Sequence, residues 1–97
     1  MSEVFYHPRI PAEVREILDH YSQTSDQLAD EFYEELMDAI GDVQRHPGRH
    51  HFDPSGRRRC NLKRFPYHFL FRIFPDYIRV TVVKHNSRSP GFGARRR

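Results

Sequence analysis

The sequence predicts an α+β fold in a single domain, residues 1–97. An N-terminal strand is followed by an antiparallel two-helix hairpin. The hairpin packs on one face of an antiparallel three- to four-stranded sheet, in the order β-α-α-β-β-β. Three observations predict this. Apolar residues recur at helical spacing from Val14 to Val43 and with period two from Arg58 to His85. A Pro-, Gly- and His-rich loop, residues 46–56, separates the two regimes. Charge divides at the same place: residues 1–46 carry three basic and eleven acidic side chains, and residues 57–97 carry twelve basic side chains and only Asp76 as an acid.

Each element follows from local chemistry. Glu3-Val4-Phe5-Tyr6-His7 is rich in strand formers and stops at Pro8. Pro11 suits the first helical position, with Glu13 near the positive end of the helix dipole. Val14, Ile17, Leu18 and Tyr21 form one helical face. Thr24 and Gln27 have capping-box spacing and open a second helix. Its stripe is Leu28, Phe32, Leu36, Ala39, Ile40 and Val43, and Pro47-Gly48 ends it. Arg58, Cys60 and Leu62 alternate with polar neighbours, predicting a half-buried strand. The next strand, Tyr67 to Phe74, puts Phe69, Phe71 and Ile73 on one face and His68, Leu70 and Arg72 on the other. Pro75-Asp76 predicts a tight turn. The last strand, Tyr77 to His85, puts Ile78, Val80 and Val82 opposite Arg79, Thr81, Val83 and His85. Residues 91–97 read as a flexible basic tail.

Composition bounds the function. The single cysteine, Cys60, excludes an intramolecular disulfide scaffold and fits a reducing cytoplasm; its alternation reads as a small buried hydrophobe. No apolar run is long enough to span a bilayer, so no membrane role is expected. His46, His50, His51, Asp53 and Cys60 match no zinc spacing, and neither metal nor cofactor is expected. With the helices over one sheet face, the uncovered face and its loops carry Arg58 or Arg59, Lys63, Arg64, Arg72, Arg79, His85 and Arg88. Such a face suits RNA, DNA or an acidic protein segment.

The segments Arg59-Cys60-Asn61-Leu62-Lys63-Arg64-Phe65-Pro66-Tyr67, Phe69-Leu70-Phe71-Arg72-Ile73, Ile78 to His85 and Arg88-Ser89-Pro90 resemble, in that order, the RelE/ParE superfamily of toxins. The N-terminal half resembles it too, with a strand, a proline, two helices, Leu28-Ala29 near the start of the second, and a His-Pro-Gly end. The resemblance covers nearly the whole chain. It implies the toxin of a type II toxin–antitoxin (plasmid stabilisation) system, which arrests growth when free of its antitoxin.

The superfamily holds two activities. RelE-like members are ribosome-dependent, metal-independent mRNA endoribonucleases; ParE-like members inhibit DNA gyrase without being enzymes. A ribonuclease needs a base, an acid and cations around one phosphate. The candidates are His85, Arg88, Arg72 and Arg64, with Lys84 as a further cation. Phe92 stands where active RelE-like members often carry a proton-transferring Tyr, and it suits the ParE-like side. On that side the resemblance implies gyrase inhibition through a basic face of Arg59, Lys63, Arg72, Arg79, Lys84 and Arg88. It also implies an oligomer with a cognate antitoxin docked around Leu28, Phe32 and Tyr33. The alternative target is mRNA in the ribosome.

Overall fold

The computed structural model describes residues 2–97. Strand β1 (Glu3–Tyr6) leads into helices α1 (Ile10–Ser22) and α2 (Asp26–Arg45). A 3-10 turn (Pro47–Arg49) and a loop follow, then β2 (Arg58–Asn61), β3 (Tyr67–Ile73) and β4 (Tyr77–His85). The order β-α-α-β-β-β is as expected. The sheet runs β1-β4-β3-β2. The last three strands are antiparallel, whereas β1 joins β4 in parallel, so the sheet is mixed rather than wholly antiparallel. The helical hairpin intervenes between β1 and the other strands and returns the chain to the far end of the sheet, which permits parallel pairing.

The helices differ from expectation at their starts. Ile10 precedes Pro11 in α1, so the proline sits one residue inside the first turn, where its missing N–H still costs nothing. The cap of α2 is Ser25, whose Oγ accepts from Leu28 N at 3.0 Å; Thr24 instead continues the preceding turn, donating its N–H to Tyr21 O. Both helices lay their apolar stripes on one sheet face. Phe32, Leu36, Ile40 and Val43 of α2 and Ile17 of α1 meet Phe69, Phe71, Ile78, Val80 and Val83. Tyr21, Phe32, Phe65 and Tyr67 form an aromatic knot with Phe32–Phe65 and Phe32–Tyr67 centroids both 5.3 Å apart, edge to face. Cys60 is buried here, and that burial pushes its thiol up to about 11. Among the described residues no helix is long and apolar enough to cross a membrane.

Strand β4 departs from simple alternation. Leu70 pairs with Val82 and Phe71 with Val80, which leaves Thr81 as an extra residue in a β-bulge. Thr81 is fully buried, and its hydroxyl donates to Leu70 O at 3.3 Å. The bulge reverses the faces beyond it. Val83 and His85 turn toward the helices, while Val82 and Lys84 turn to the second face, the opposite of the assignment strict alternation gives.

Candidate functional site

The second face carries Arg59 from β2, His68, Leu70 and Arg72 from β3, and Arg79, Val82 and Lys84 from β4. It is not open along its whole length. Residues 91–97, expected as a flexible tail, form turns that lie against this face. Arg57, itself buried, donates from its guanidinium to Ala94 O, and Arg79 Nε donates to Arg97 O. Gly93, at φ +74°, sits so close that a Cβ there would lie 2.9 Å from Val82. The tail is held because Val82 meets it at Gly93, and because side-chain cations meet its carbonyls.

Beyond Tyr6, β4 has no strand beside it, and side chains complete that edge. Glu13 of α1 accepts from Val83 N at 3.2 Å, and Arg96 donates to Thr81 O at 3.2 Å. Glu13 and Arg96 also form an ion pair. A peptide edge that would otherwise face solvent is thus finished by a carboxylate and a guanidinium.

The predicted basic residues separate into three places. Arg72 and Arg79 are direct cross-strand partners on the second face; neither pairs with an Asp or Glu side chain among the described residues, and Arg79 Nε is held by Arg97 O. Like charges directly opposite destabilise a sheet, which marks this pair as costly to keep. Aromatic rings flank it: Phe74 stacks on Tyr77 at 4.6 Å, Phe5 meets Tyr77 edge-on at 5.1 Å, and the Arg72 guanidinium lies 5.9 Å from the Phe74 ring.

Lys63 and Arg64 are not on that face. The backbone N–H groups of both donate to Glu35 of α2, and Arg64 pairs with Glu31 at 3.2 Å. The acidic face of the helix attracts this basic loop and holds it on the helical side of the molecule. Lys84 is on the second face but buried. Its ammonium donates to the carbonyls of Ser89, Pro90 and Phe92, and burial lowers its pKa. It anchors the C-terminal segment and is not a free contact residue.

His85 and Arg88 come together around a cavity of about 230 Å³ between α1 and the end of β4, shared with Glu16, His20, Tyr67 and Phe92. His85 accepts at Nδ1 from Ser87 N at 3.0 Å, and its ring meets Tyr67 edge-on at 5.0 Å. Arg88 lies 3.9 Å above the Phe92 ring. Arg72 lines a different cavity, with Phe52, Arg57 and Arg58, and Arg64 lines neither. The four residues singled out for ribonuclease chemistry are therefore not gathered around one phosphate position.

Of the three expected docking residues, Phe32 is fully buried at the centre of the core and offers no surface. Leu28 is half-buried and packs on the core, while Tyr33 is 46% exposed. Tyr33 stands at a groove between the helices that is floored by Leu18 and Ala29 and rimmed by Asp19, Asp26, Asp30 and Glu34. Helical spacing placed Phe32 on the same stripe as Leu28, and the hairpin closes over that part of the stripe.

A third cluster, around His68, Asn86 and Asp53, escaped the sequence reading. His68 Nδ1 lies 2.8 Å from Asn86 Oδ1, and the ring is 2% exposed. Burial holds its pKa below the ordinary histidine value, with Arg59 and Lys84 adding to the effect and Asn86 opposing it. Burial pushes the Asp53 carboxyl up, but hydrogen bonds from Ser55, with Arg59 3.7 Å away, outweigh that and hold it low. Alternation with Arg72 was the available signal for the face of His68. Its partner Asn86 lies beyond the strand, where no periodicity reaches.

No protein-family model matches the sequence, and no curated protein matches it. A solved structure described as "Chromosomal ParDE TA system from P. aeruginosa" does match, with a TM-score of 0.75 and 20% identity over 88% of this chain and 96% of that one. This chain has that ParDE-system fold. At this identity it is a statement about architecture, and the activity has to be argued from the side chains.

Proposed function

We propose that the chain is the toxin of a type II toxin–antitoxin pair, a RelE/ParE superfamily member that arrests growth when free of its antitoxin by inhibiting DNA gyrase. The shared ParDE-system fold and the series of motifs from Arg59 to Pro90 support the toxin reading. One observation carries the gyrase side. The opposed Arg72 and Arg79, flanked by Phe5, Phe74 and Tyr77, form a cationic and aromatic patch suited to an acidic protein surface, while the ribonuclease candidates are dispersed. Arg59 and Arg88 extend this target-binding face. Leu28 and Tyr33 remain the antitoxin-contact residues at the hairpin, and the working form is a cytoplasmic complex with the antitoxin.

Ribosome-dependent mRNA cleavage is the alternative, favoured only by His85 and Arg88 sharing a cavity. Brief induction in cells separates the two. Following mRNA ends by primer extension and plasmid supercoiling in the same cultures should show intact messages and relaxed or broken DNA. Cuts at codon-defined positions with unchanged supercoiling would reverse the assignment. Purified gyrase should lose supercoiling activity on addition of the chain and regain it when the antitoxin is added.

A further inference from the structure

A cavity of about 380 Å³ opens on the second face, between the loop at residues 53–55 and the segment from Asn86 to Ala94. Arg59, Lys84 and Arg88 line it, against Asp53 as its one carboxylate, and His68 and Asn86 form its polar wall. Asp53 is already engaged by Ser55 N at 2.9 Å and by Arg59. Lys84 is fixed by three main-chain carbonyls. The balance of the wall is therefore positive and largely pre-formed.

His68 adds a second requirement. The Asn86 amide oxygen accepts from Nδ1, so the proton of the ring sits there and Nε2 presents a lone pair. That nitrogen is buried and has no partner among the described residues. A buried acceptor without a donor costs free energy, so any group that donates to it recovers that cost. Because burial and the nearby cations disfavour imidazolium, the ring remains an acceptor near neutral pH. An acceptor set among cations selects a ligand that is anionic and yet donates a hydrogen bond. Sulfate carries the charge and no proton; a phosphodiester carries the charge and no P–OH.

We propose that this cavity binds a protonated phosphate, either hydrogen phosphate or the terminal group of a phosphate monoester, with its P–OH donating to His68 Nε2 and its charged oxygens meeting Arg59 and Arg88. A cavity of this size holds the phosphate and part of an attached group. The site stands whether the cellular target is gyrase or mRNA, because it selects against the diester linkage of a nucleic acid backbone.

The test is calorimetric titration of the full chain at pH 6.5 and low ionic strength with inorganic phosphate, a nucleoside 5′-monophosphate, dimethyl phosphate and sulfate. Phosphate or the monophosphate should bind, and whichever binds more tightly identifies the source. Sulfate and dimethyl phosphate should bind about tenfold or more weakly, the worth of one charge-assisted hydrogen bond. Equal binding of sulfate and phosphate, or no phosphate binding at millimolar concentration, overturns the proposal. Arg88→Gln should weaken phosphate and sulfate alike, and His68→Phe should remove the preference between them. Because His68 is buried and its variant can fail to fold, the ¹⁵N shift of Nε2 in the unmodified protein gives an independent reading. It should move on phosphate addition and stay fixed with sulfate; an Nε2 that ignores phosphate refutes the assignment.

Discussion

Glu13 and Arg96 form an ion pair that joins helix α1 to the C-terminal segment across the bare edge of β4, and each also bonds the β4 backbone, at Val83 N and Thr81 O. Both side chains are largely buried, so the pair is poorly screened. Glu13→Ala strips the Val83 amide of its partner and leaves Arg96 uncompensated. It should destabilise the protein by about 1.5–3 kcal/mol in urea unfolding. Arg96→Ala should cost a similar amount, because it strips Thr81 O of its partner and leaves the buried Glu13 carboxylate uncompensated. A double-mutant cycle should give a coupling of about 1 kcal/mol, and strict additivity would show that the pair does not act as a unit.

Gly93→Ala tests the docked tail. The backbone there is left-handed, and the added methyl would meet Val82 at 2.9 Å. The expected cost is about 1–3 kcal/mol, whereas Gly91→Ala, with only Ser89 Oγ nearby at 3.7 Å, should be near neutral. Equal stabilities would mean that the tail does not rest on the sheet.

Two histidines are held below their ordinary pKa: His68 chiefly by burial, and His7 by burial with Arg96 and Arg79 nearby. A group whose folded pKa is depressed leaves the unfolded chain binding more protons as acid is added. Stability should therefore be fully present above about pH 6.5 and fall as pH drops below it. Melting temperature against pH should show this slope, and His68→Asn should flatten it. A variant with an unchanged slope would move the effect to other groups.

Phe32→Ala and Tyr33→Ala are neighbours with opposite expected outcomes. Removing the buried Phe32 should cost about 3–5 kcal/mol and leave little folded protein. Removing the exposed Tyr33 should change stability by less than about 0.5 kcal/mol while weakening antitoxin binding, measured by calorimetry. Antitoxin affinity unaffected by Tyr33→Ala would take the docking surface off the hairpin groove.

The opposed Arg72 and Arg79 make a paired prediction. Arg72→Gln relieves like-charge repulsion and should raise stability by about 0.2–1 kcal/mol, while toxicity on induction falls. A stabilised variant of full toxicity would show that the patch is not the target contact.

Much of the fold was legible because periodicity reports it directly. The stripe from Leu28 to Val43, the alternation through Phe69 and Phe71 and the Pro75-Asp76 turn each follow from spacing alone. The sites were less legible, for identifiable reasons. Nothing in the composition of β4 marks Thr81 as an extra residue, since Val-Thr-Val-Val alternates equally well in either frame, and His85 was assigned to the wrong face as a result. Charge alone could not separate Arg72, which is exposed, from Lys84, which the C-terminal carbonyls bury, or from Arg64, which Glu31 and Glu35 draw to the helical side. The docked tail depends on long-range partners, Glu13, Arg57 and Arg79, that local composition does not encode.

The bulge at Thr81 has a further consequence. By shifting the frame of β4, it sends Lys84 and His85 to opposite sides of the sheet, while Arg88 reaches the rim on both sides. The histidine cavity beside α1 and the phosphate-selective cavity on the second face are thus two rooms divided by a single strand, with Lys84 and Arg88 belonging to the walls of each.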